Sequence, residues 1–244
     1  MRSDRSRGAQ LPYRLLAGAI PVPSGWLVTS AKLQGATIAP EEPRIESTFI
    51  DLLDYKPAYQ VIALSAPIGL LDDPGPKGRA CERDARRLLG VPRSSAIASA
   101  PVRGALACVT FDEAAAANGG HLSPVRWRQF AKIAEVDKAI APYWQRTVFE
   151  VHPELSFFQL ANDKPVCFSK HTRAGLVERR ALLEARLPGV ERVIDSRLRG
   201  ANETQLLDAA ACLWTARRIA SRAINRLPED PEWDALGLRM EIVR

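Results

Sequence analysis

The chain has 244 residues, of which 46% are hydrophobic and 25% charged, and its formal net charge is +6 at pH 7. This length and composition are typical of one sizeable globular domain, or two small ones, and exclude a low-complexity protein. Since no apolar run approaches the roughly 20 residues of a membrane-spanning helix, we expect no membrane association and a cytoplasmic location.

The basic start of the chain, residues 1–12, has no apolar stretch long enough for a signal peptide, so we predict a disordered leader. The four cysteines are widely spaced and form no CxxC pair, which favours free thiols over a zinc site. Residues 170–226 hold 12 Lys and Arg against 6 Asp and Glu, an excess equal to the whole net charge. Such a segment forms either a face that attracts phosphate groups or an ordinary solvated helix surface.

The first half of the chain alternates between strand and helix patterns. Apolar runs at 15–20 and 26–33 flank a Pro- and Gly-rich link and predict an antiparallel hairpin. The continuous apolar run 61–64 predicts a buried central strand. Residues 79–89 then predict a helix that ends at Gly90, a residue favoured at helix C-termini.

The second half continues the alternation. Ser123 and Pro124 open a predicted helix as N-cap and first helical residue. Residues 146–152 alternate like a strand, 176–187 and 202–226 have helical periodicity, and 239–243 predict a final strand. Interleaved strands and helices favour an α/β fold, and the early hairpin makes its sheet mixed rather than purely parallel.

Several segments, spread over residues 15–243, are more specific than these patterns. They are Ala17-Gly18, Gly25-Trp26, Val61-Ile62-Ala63-Leu64-Ser65-Ala66-Pro67-Ile68-Gly69-Leu70, Arg79-Ala80-Cys81-Glu82-Arg83-Asp84-Ala85-Arg86, Glu150-Val151-His152-Pro153-Glu154-Leu155-Ser156-Phe157, 170–180, Leu206-Leu207-Asp208-Ala209-Ala210 and Gly237-Leu238-Arg239-Met240-Glu241-Ile242. In this order they resemble a family of predicted RNase H-like nucleases, the domain of unknown function 429.

The resemblance implies a single RNase H-like domain over residues 13–244, with a mixed five-stranded sheet flanked by helices. It also implies metal-assisted hydrolysis of phosphodiesters. In that chemistry, three or four carboxylates hold two Mg²⁺ or Mn²⁺ ions, one of which activates water while the other stabilises the leaving oxygen. Hard cations of this kind require oxygen ligands, and neutral replacements hold them poorly.

The acidic positions of the family are only partly acidic in this chain. Glu150 and Asp208 stand at two of them and are the predicted metal ligands if any metal is bound. The family's acidic positions that carry no charge here are Ile20, Ser65, Thr204 and Gln205. Residues 11–40 contain no Asp or Glu at all, so a small error in alignment does not restore the first acid.

Three further residues are candidates for contacting an anionic ligand: Lys170, His152 and Arg79. Two structural alternatives remain open at this point. Glu150 and His152 could be a polar pair that closes the end of a strand, and Asp208 could form a buried ion pair with an arginine such as Arg179.

The leading functional hypothesis is an RNase H-like protein with an eroded carboxylate site. It would bind nucleic acid or another phosphate-bearing ligand, with weak or no metal-dependent cleavage. In one alternative, Glu150, Asp208 and a relocated Asp72 or Asp73 form an active site that uses Mg²⁺ or Mn²⁺. In another, the chain is a non-catalytic domain that binds a protein partner.

Overall fold

The structure, a computed structural model, describes residues 12–75 and 78–244. The predicted leader at residues 1–12 lies outside this description, except for its last residue. The strands β1 to β8 are Arg14–Val22, Gly25–Gln34, Thr37–Pro40, Arg44–Glu46, Val61–Leu64, Val148–Glu150, Arg226–Trp233 and Arg239–Val243. The helices α1 to α9 are Phe49–Leu53, Ala80–Leu89, Phe111–Ala117, Pro124–Trp127, Phe130–Ala139, Pro153–Leu160, Arg173–Glu184, Glu191–Ile194 and Glu203–Ala220.

The predicted mixed α/β architecture is confirmed, but the main sheet has six strands rather than the five expected. Its order is β3-β2-β1-β5-β6, with β4 also paired to β2. Strand β3 pairs with residues 31–34 of β2, and β4 pairs with residues 26–28. Because the other side of β2 is taken by β1, β3 and β4 share one edge position. Pro43 and two adjacent glutamates separate them, and Pro suits an interrupted edge strand.

The centre of the sheet is set by three parallel strands. β1 pairs with β5, and β5 pairs with β6, both in parallel register. Their residues are almost entirely buried, as expected for strands covered on both faces. Their carboxyl ends therefore meet at one edge of the sheet, which is where ligands bind in most open α/β sheets.

Helix α9 covers one face of this sheet and approaches it very closely at Gly18. A Cβ at this glycine would lie 2.2 Å from the Leu213 amide nitrogen and 2.5 Å from the Ala209 carbonyl oxygen. The Thr29 hydroxyl on β2 donates a 2.9 Å hydrogen bond to the same Ala209 carbonyl. Because Gly18 has no side chain, α9 can lie directly against β1. This close contact also fixes the orientation of the following turns of the helix.

Several predicted elements have different bounds in the structure. The helix expected from Ser123 is divided into α4 and α5, and the last long helix ends at Ala220 rather than 226. The strand expected over 146–152 is limited to β6, since His152 already acts as the N-cap of α6. Strand β7, which the sequence did not indicate, pairs with the predicted β8 in a separate two-stranded sheet. No helix of the described residues is long and apolar enough to cross a membrane.

Candidate functional site

A cleft of about 790 Å³ opens at the carboxyl ends of β1, β5 and β6. All seven residues singled out from the sequence line this cleft: Ile20, Ser65, Arg79, Glu150, His152, Lys170 and Asp208. Gln205, another neutral residue at an acidic position of the family, lines it too. Residues that lie far apart in the sequence are therefore brought to one place, as expected if they belong to one site.

Ser65 directly follows the end of β5, whereas Ile20, expected at a strand end, lies inside β1, one residue beyond the part of β1 that pairs with β5. Ser65 donates its backbone N–H to the Ala19 carbonyl at 2.8 Å, which places it one step beyond the last β1–β5 pair. Ile20 is only 6% exposed and belongs to the hydrophobic cluster that includes Leu27 and Leu207. At this position the chain therefore presents an aliphatic wall, with a half-buried hydroxyl beside it.

Glu150 is held by Arg79 in a bidentate ion pair. Two guanidinium nitrogens donate to its two carboxylate oxygens at 2.6 and 2.8 Å, and the Ile68 amide donates to it at 2.7 Å. Both side chains are almost fully buried. Burial raises the pKa of Glu150, while Arg79 and the Ile68 amide act against that rise. The Arg79 guanidinium is therefore the counter-charge of Glu150.

Arg79 is itself fully occupied. Beyond Glu150, its Nε donates to Glu82 at 3.0 Å and its Nη1 donates to the Ile68 and Gly69 carbonyls at 3.1 Å, while its Nη2 lies 2.9 Å from the Glu82 carboxylate. Each nitrogen of the guanidinium therefore lies next to a protein acceptor. Arg79 holds the wall of the cleft together and is poorly placed to contact a ligand.

Asp208 lies on α9 and therefore reaches the cleft from the face of the sheet that this helix covers. Its Oδ2 accepts a 2.8 Å hydrogen bond from the Lys170 ammonium group, so its partner is Lys170 and not Arg179, which pairs with Glu154 instead. Its other oxygen is buried and has no hydrogen-bond partner among the described residues. Burial raises the pKa of Asp208, and Lys170 partly counteracts this.

His152 lies in the cleft as a neutral imidazole. Its Nδ1 accepts the backbone N–H of Glu154 at 3.2 Å, capping α6. Burial, together with the nearby charges of Lys170 and Arg126, lowers its pKa to about 3. It does not share a strand face with Glu150, because β6 has already ended. The expected polar pair at the strand end is therefore replaced by a helix cap and an ion pair.

Lys170 follows a loop, residues 166–169, whose backbone is held by side chains from elsewhere in the chain. Arg93 donates to the Val166 and Cys167 carbonyls at 3.0 and 2.8 Å. Glu178 accepts the amides of Cys167 and Phe168 at 2.7 and 2.9 Å, and Arg179 donates to the Phe168 carbonyl at 3.0 Å. The segment just before Lys170 is thus fixed by side chains from two other parts of the chain.

Sequence reasoning missed Arg126, which also lines the cleft. Its guanidinium donates to the Ser99 carbonyl at 3.0 Å and to Gln129 Oε1 at 2.9 Å, and it bonds the Ala98 carbonyl as well. Burial lowers its pKa. One signal pointed to it, its place in the first turn of a helix capped by Ser123, but nothing in the sequence placed that helix at the cleft.

These residues do not fit a two-metal site. Ile20 supplies no ligand atom, and each retained carboxylate is already hydrogen-bonded to a cationic side chain. Across the described residues, His, Cys, Asp and Glu side chains form no group of three or more that could hold a metal ion. Asp72 and Asp73 do not replace the missing carboxylates, because neither of them lines the cleft. Asp72 instead forms an ion pair with Arg103 at 3.2 Å.

The fold and cleft define a mixed α/β protein with a cleft at the carboxyl edge of its parallel strands. A family model described as "Protein of unknown function (DUF429)" matches residues 21–233, and the chain belongs to this family. No curated protein and no solved structure matches it.

Proposed function

We propose that this chain is an RNase H-like member of its family that binds a phosphate-bearing ligand in the cleft, with metal-dependent hydrolysis weak or absent. Nucleic acids are one class of such ligands. The observation that carries the proposal is the pairing of both retained acids: Glu150 with Arg79 at 2.6 Å and Asp208 with Lys170 at 2.8 Å. Positive side chains take the places beside the carboxylates where metal ions would be needed.

The composition of the cleft also supports anion binding without metal. Lys170, Arg93 and Arg126 all line it, and a cationic side chain in a partly buried cleft attracts phosphate oxygens strongly. Two of the acidic positions of the family are neutral at the same rim, at Ile20 and Ser65. Fewer negative charges repel a phosphate less, so the same substitutions that weaken metal binding favour an anionic ligand. In this proposal the protein acts in the cytoplasm.

Incubation with single-stranded and duplex DNA and RNA, in Mg²⁺ and in Mn²⁺, tests the absence of hydrolysis. We expect no cleavage above that of a matched Glu150→Gln/Asp208→Asn sample. Robust cleavage by the wild-type protein that is lost in this variant would contradict the proposal and favour a metal-dependent nuclease using Glu150 and Asp208.

Binding is tested separately, by titrating phosphate-bearing compounds in the presence of EDTA. We expect the affinity to be the same with and without the chelator, because the cations that meet the phosphate belong to the protein. If no phosphate-bearing compound binds under either condition, the proposal fails, and a role in binding a protein partner becomes the better hypothesis.

A further inference from the structure

The cations of the cleft differ in what they already hold. Arg79 is committed to two carboxylates and two carbonyls, as described above. Lys170 donates one hydrogen bond to Asp208, and an ammonium group has three N–H donors. The acceptors that Arg126 meets are neutral carbonyl and amide oxygens. Lys170 and Arg126 are therefore better placed than Arg79 to receive an anion.

His152 lies in the same cleft as these two cations. Burial lowers the pKa of its imidazole, and the charges of Lys170 and Arg126 lower that pKa further. All three side chains line the same cleft. Arg126 also lies near Glu82 and Glu150, but Arg79 already neutralises much of their charge. A neutral imidazole that shares a cleft with two cations is an environment that an anion would stabilise.

The three side chains are held in place without a ligand. The loop before Lys170 is braced by Arg93, Glu178 and Arg179, and the His152 ring is fixed by its bond to the Glu154 amide. The Arg126 guanidinium is anchored by backbone carbonyls. Preorganised donors lose little freedom when they bind a ligand, which is typical of a built binding site.

The rest of the cleft points to what the anion is attached to. At 790 Å³ it has the size of a small-molecule site. Besides the cations, its lining includes Ser65, Gln205 and Asp208, a hydroxyl, an amide and a carboxylate with one unpaired oxygen. This set favours hydroxyl groups, which both donate and accept. A second phosphate there would be repelled by Asp208.

The charge of the cleft as a whole does not suit a long polyanion such as a nucleic-acid backbone. Four cationic and four carboxylate side chains of the described residues line it: Arg79, Arg93, Arg126 and Lys170 against Glu82, Glu150, Glu154 and Asp208. Grooves that follow a nucleic-acid backbone carry a marked excess of positive charge. The balance here suits a ligand with one terminal phosphate.

We infer that Lys170 and Arg126, which line the same cleft as His152, form a subsite for the terminal phosphate of a hydroxyl-bearing phosphomonoester. This rests on the proposed function and narrows its ligand class. The same chemistry is offered by a free sugar phosphate and by the 5′-phosphorylated end of a strand. In both, the sugar extends toward Ser65, Gln205 and Asp208.

The test uses the full-length protein, calorimetric titration and side-chain NMR of its three histidines, His121, His152 and His171. The probes are ribose 5-phosphate, ribose, and single-stranded RNA with and without a 5′-phosphate. We expect ribose 5-phosphate to bind and ribose not to bind. The ligand should shift the signals of His152 and leave those of His121, which is outside the cleft, unchanged.

Lys170→Gln and Arg126→Gln remove the charges but keep an N–H donor at each place. We expect each to weaken ribose 5-phosphate binding by about tenfold or more, as for loss of a charged hydrogen bond. Arg173→Gln is the matched control, because Arg173 is highly exposed and does not line the cleft, and its affinity should equal the wild type.

Each outcome has a distinct meaning. If RNA binds only when it carries a 5′-phosphate, and more tightly than ribose 5-phosphate, the source is a strand end; the reverse order identifies a free sugar phosphate. If RNA binds equally with and without the 5′-phosphate, the inference is overturned but the proposed function stands. Binding of ribose 5-phosphate that leaves His152 unshifted, or that survives both substitutions, also overturns it. If none of the probes binds, both fail.

Discussion

Arg79 forms ion pairs with two buried carboxylates at once, and this makes it the residue on which the wall of the cleft depends. Its side chain and those of Glu82 and Glu150 are at most 6% exposed. We predict that Arg79→Met lowers the free energy of unfolding by about 3–5 kcal/mol, because it leaves buried acids without a counter-charge. Urea unfolding measures this, and Arg79→Met/Glu150→Gln should recover part of the loss.

The matched control is Arg87→Met. Arg87 forms an ion pair of similar length, 2.6 Å with Asp84, but is 78% exposed. Its removal should change stability by less than about 1 kcal/mol. Equal effects of the two substitutions would show that Arg79 is not a structural counter-charge.

His152 makes stability depend on pH. Its pKa is about 3 in the folded protein and about 6.5 when unfolded, so between these values the unfolded state binds more protons. The contribution of His152 to stability therefore rises with pH from about 3 to 6.5 and levels off above. His152→Asn keeps a side-chain cap for α6 but removes this dependence. Unfolding curves at several pH values should show a difference between wild type and variant that changes only in that window.

At the residue scale, sequence reasoning identified the members of the cleft but not their partners. Arg79 was expected to contact a ligand, yet Glu150, 71 positions away, takes its donors. Asp208 was expected either to bind a metal or to pair with an arginine such as Arg179, and its partner in the cleft is Lys170. Spacing along a chain predicts which residues share an edge of the sheet, but hydrogen-bond partners depend on side-chain geometry that no motif encodes.

Gly18 is the point at which two elements, β1 and α9, are fitted together. We predict that Gly18→Ala destabilises the protein by about 3 kcal/mol, the upper end for overpacked cores, because its Cβ would meet backbone atoms at 2.2–2.8 Å. Thermal or urea unfolding tests this. Gly104→Ala is the control: nothing lies within 4 Å of its Cβ, so its stability should not fall. Equal stability of both variants would contradict the close approach.

The elements that the sequence predicted best are those buried on both faces. The early hairpin and the central strand were expected at 15–20, 26–33 and 61–64, and β1, β2 and β5 contain them. The elements it missed are polar or rich in proline, such as β4 and the exposed strand β7. Edge strands bury little, so they leave no hydrophobic periodicity to detect. For this reason β4, which brings the main sheet to six strands, was not predicted.

At the scale of the whole molecule, the basic segment 170–226 is less available than its charge indicates. Several of its arginines are engaged within the protein, with Arg179 paired to Glu154, Arg180 to Glu184 and Asp195, and Arg226 to Glu241. Arg217 donates to backbone carbonyls. The sequence alone could not distinguish a phosphate-binding face from a set of intramolecular ion pairs, because both contain arginines at similar density.

Exposed arginines outside the cleft provide a way to separate two kinds of binding. Arg197, Arg199 and Arg222 are exposed and do not line the cleft. Changing all three to Gln lowers the formal net charge from +6 to +3. Non-specific affinity for duplex DNA depends on such charges and should fall, with a shallower dependence on salt, because fewer counterions are released. Ribose 5-phosphate is held by Lys170 and Arg126, so its affinity should stay unchanged. Calorimetry for the sugar phosphate and fluorescence anisotropy for DNA, each at several salt concentrations, measure both. A parallel loss of the two affinities would mean that the surface arginines, and not the cleft, bind the phosphate.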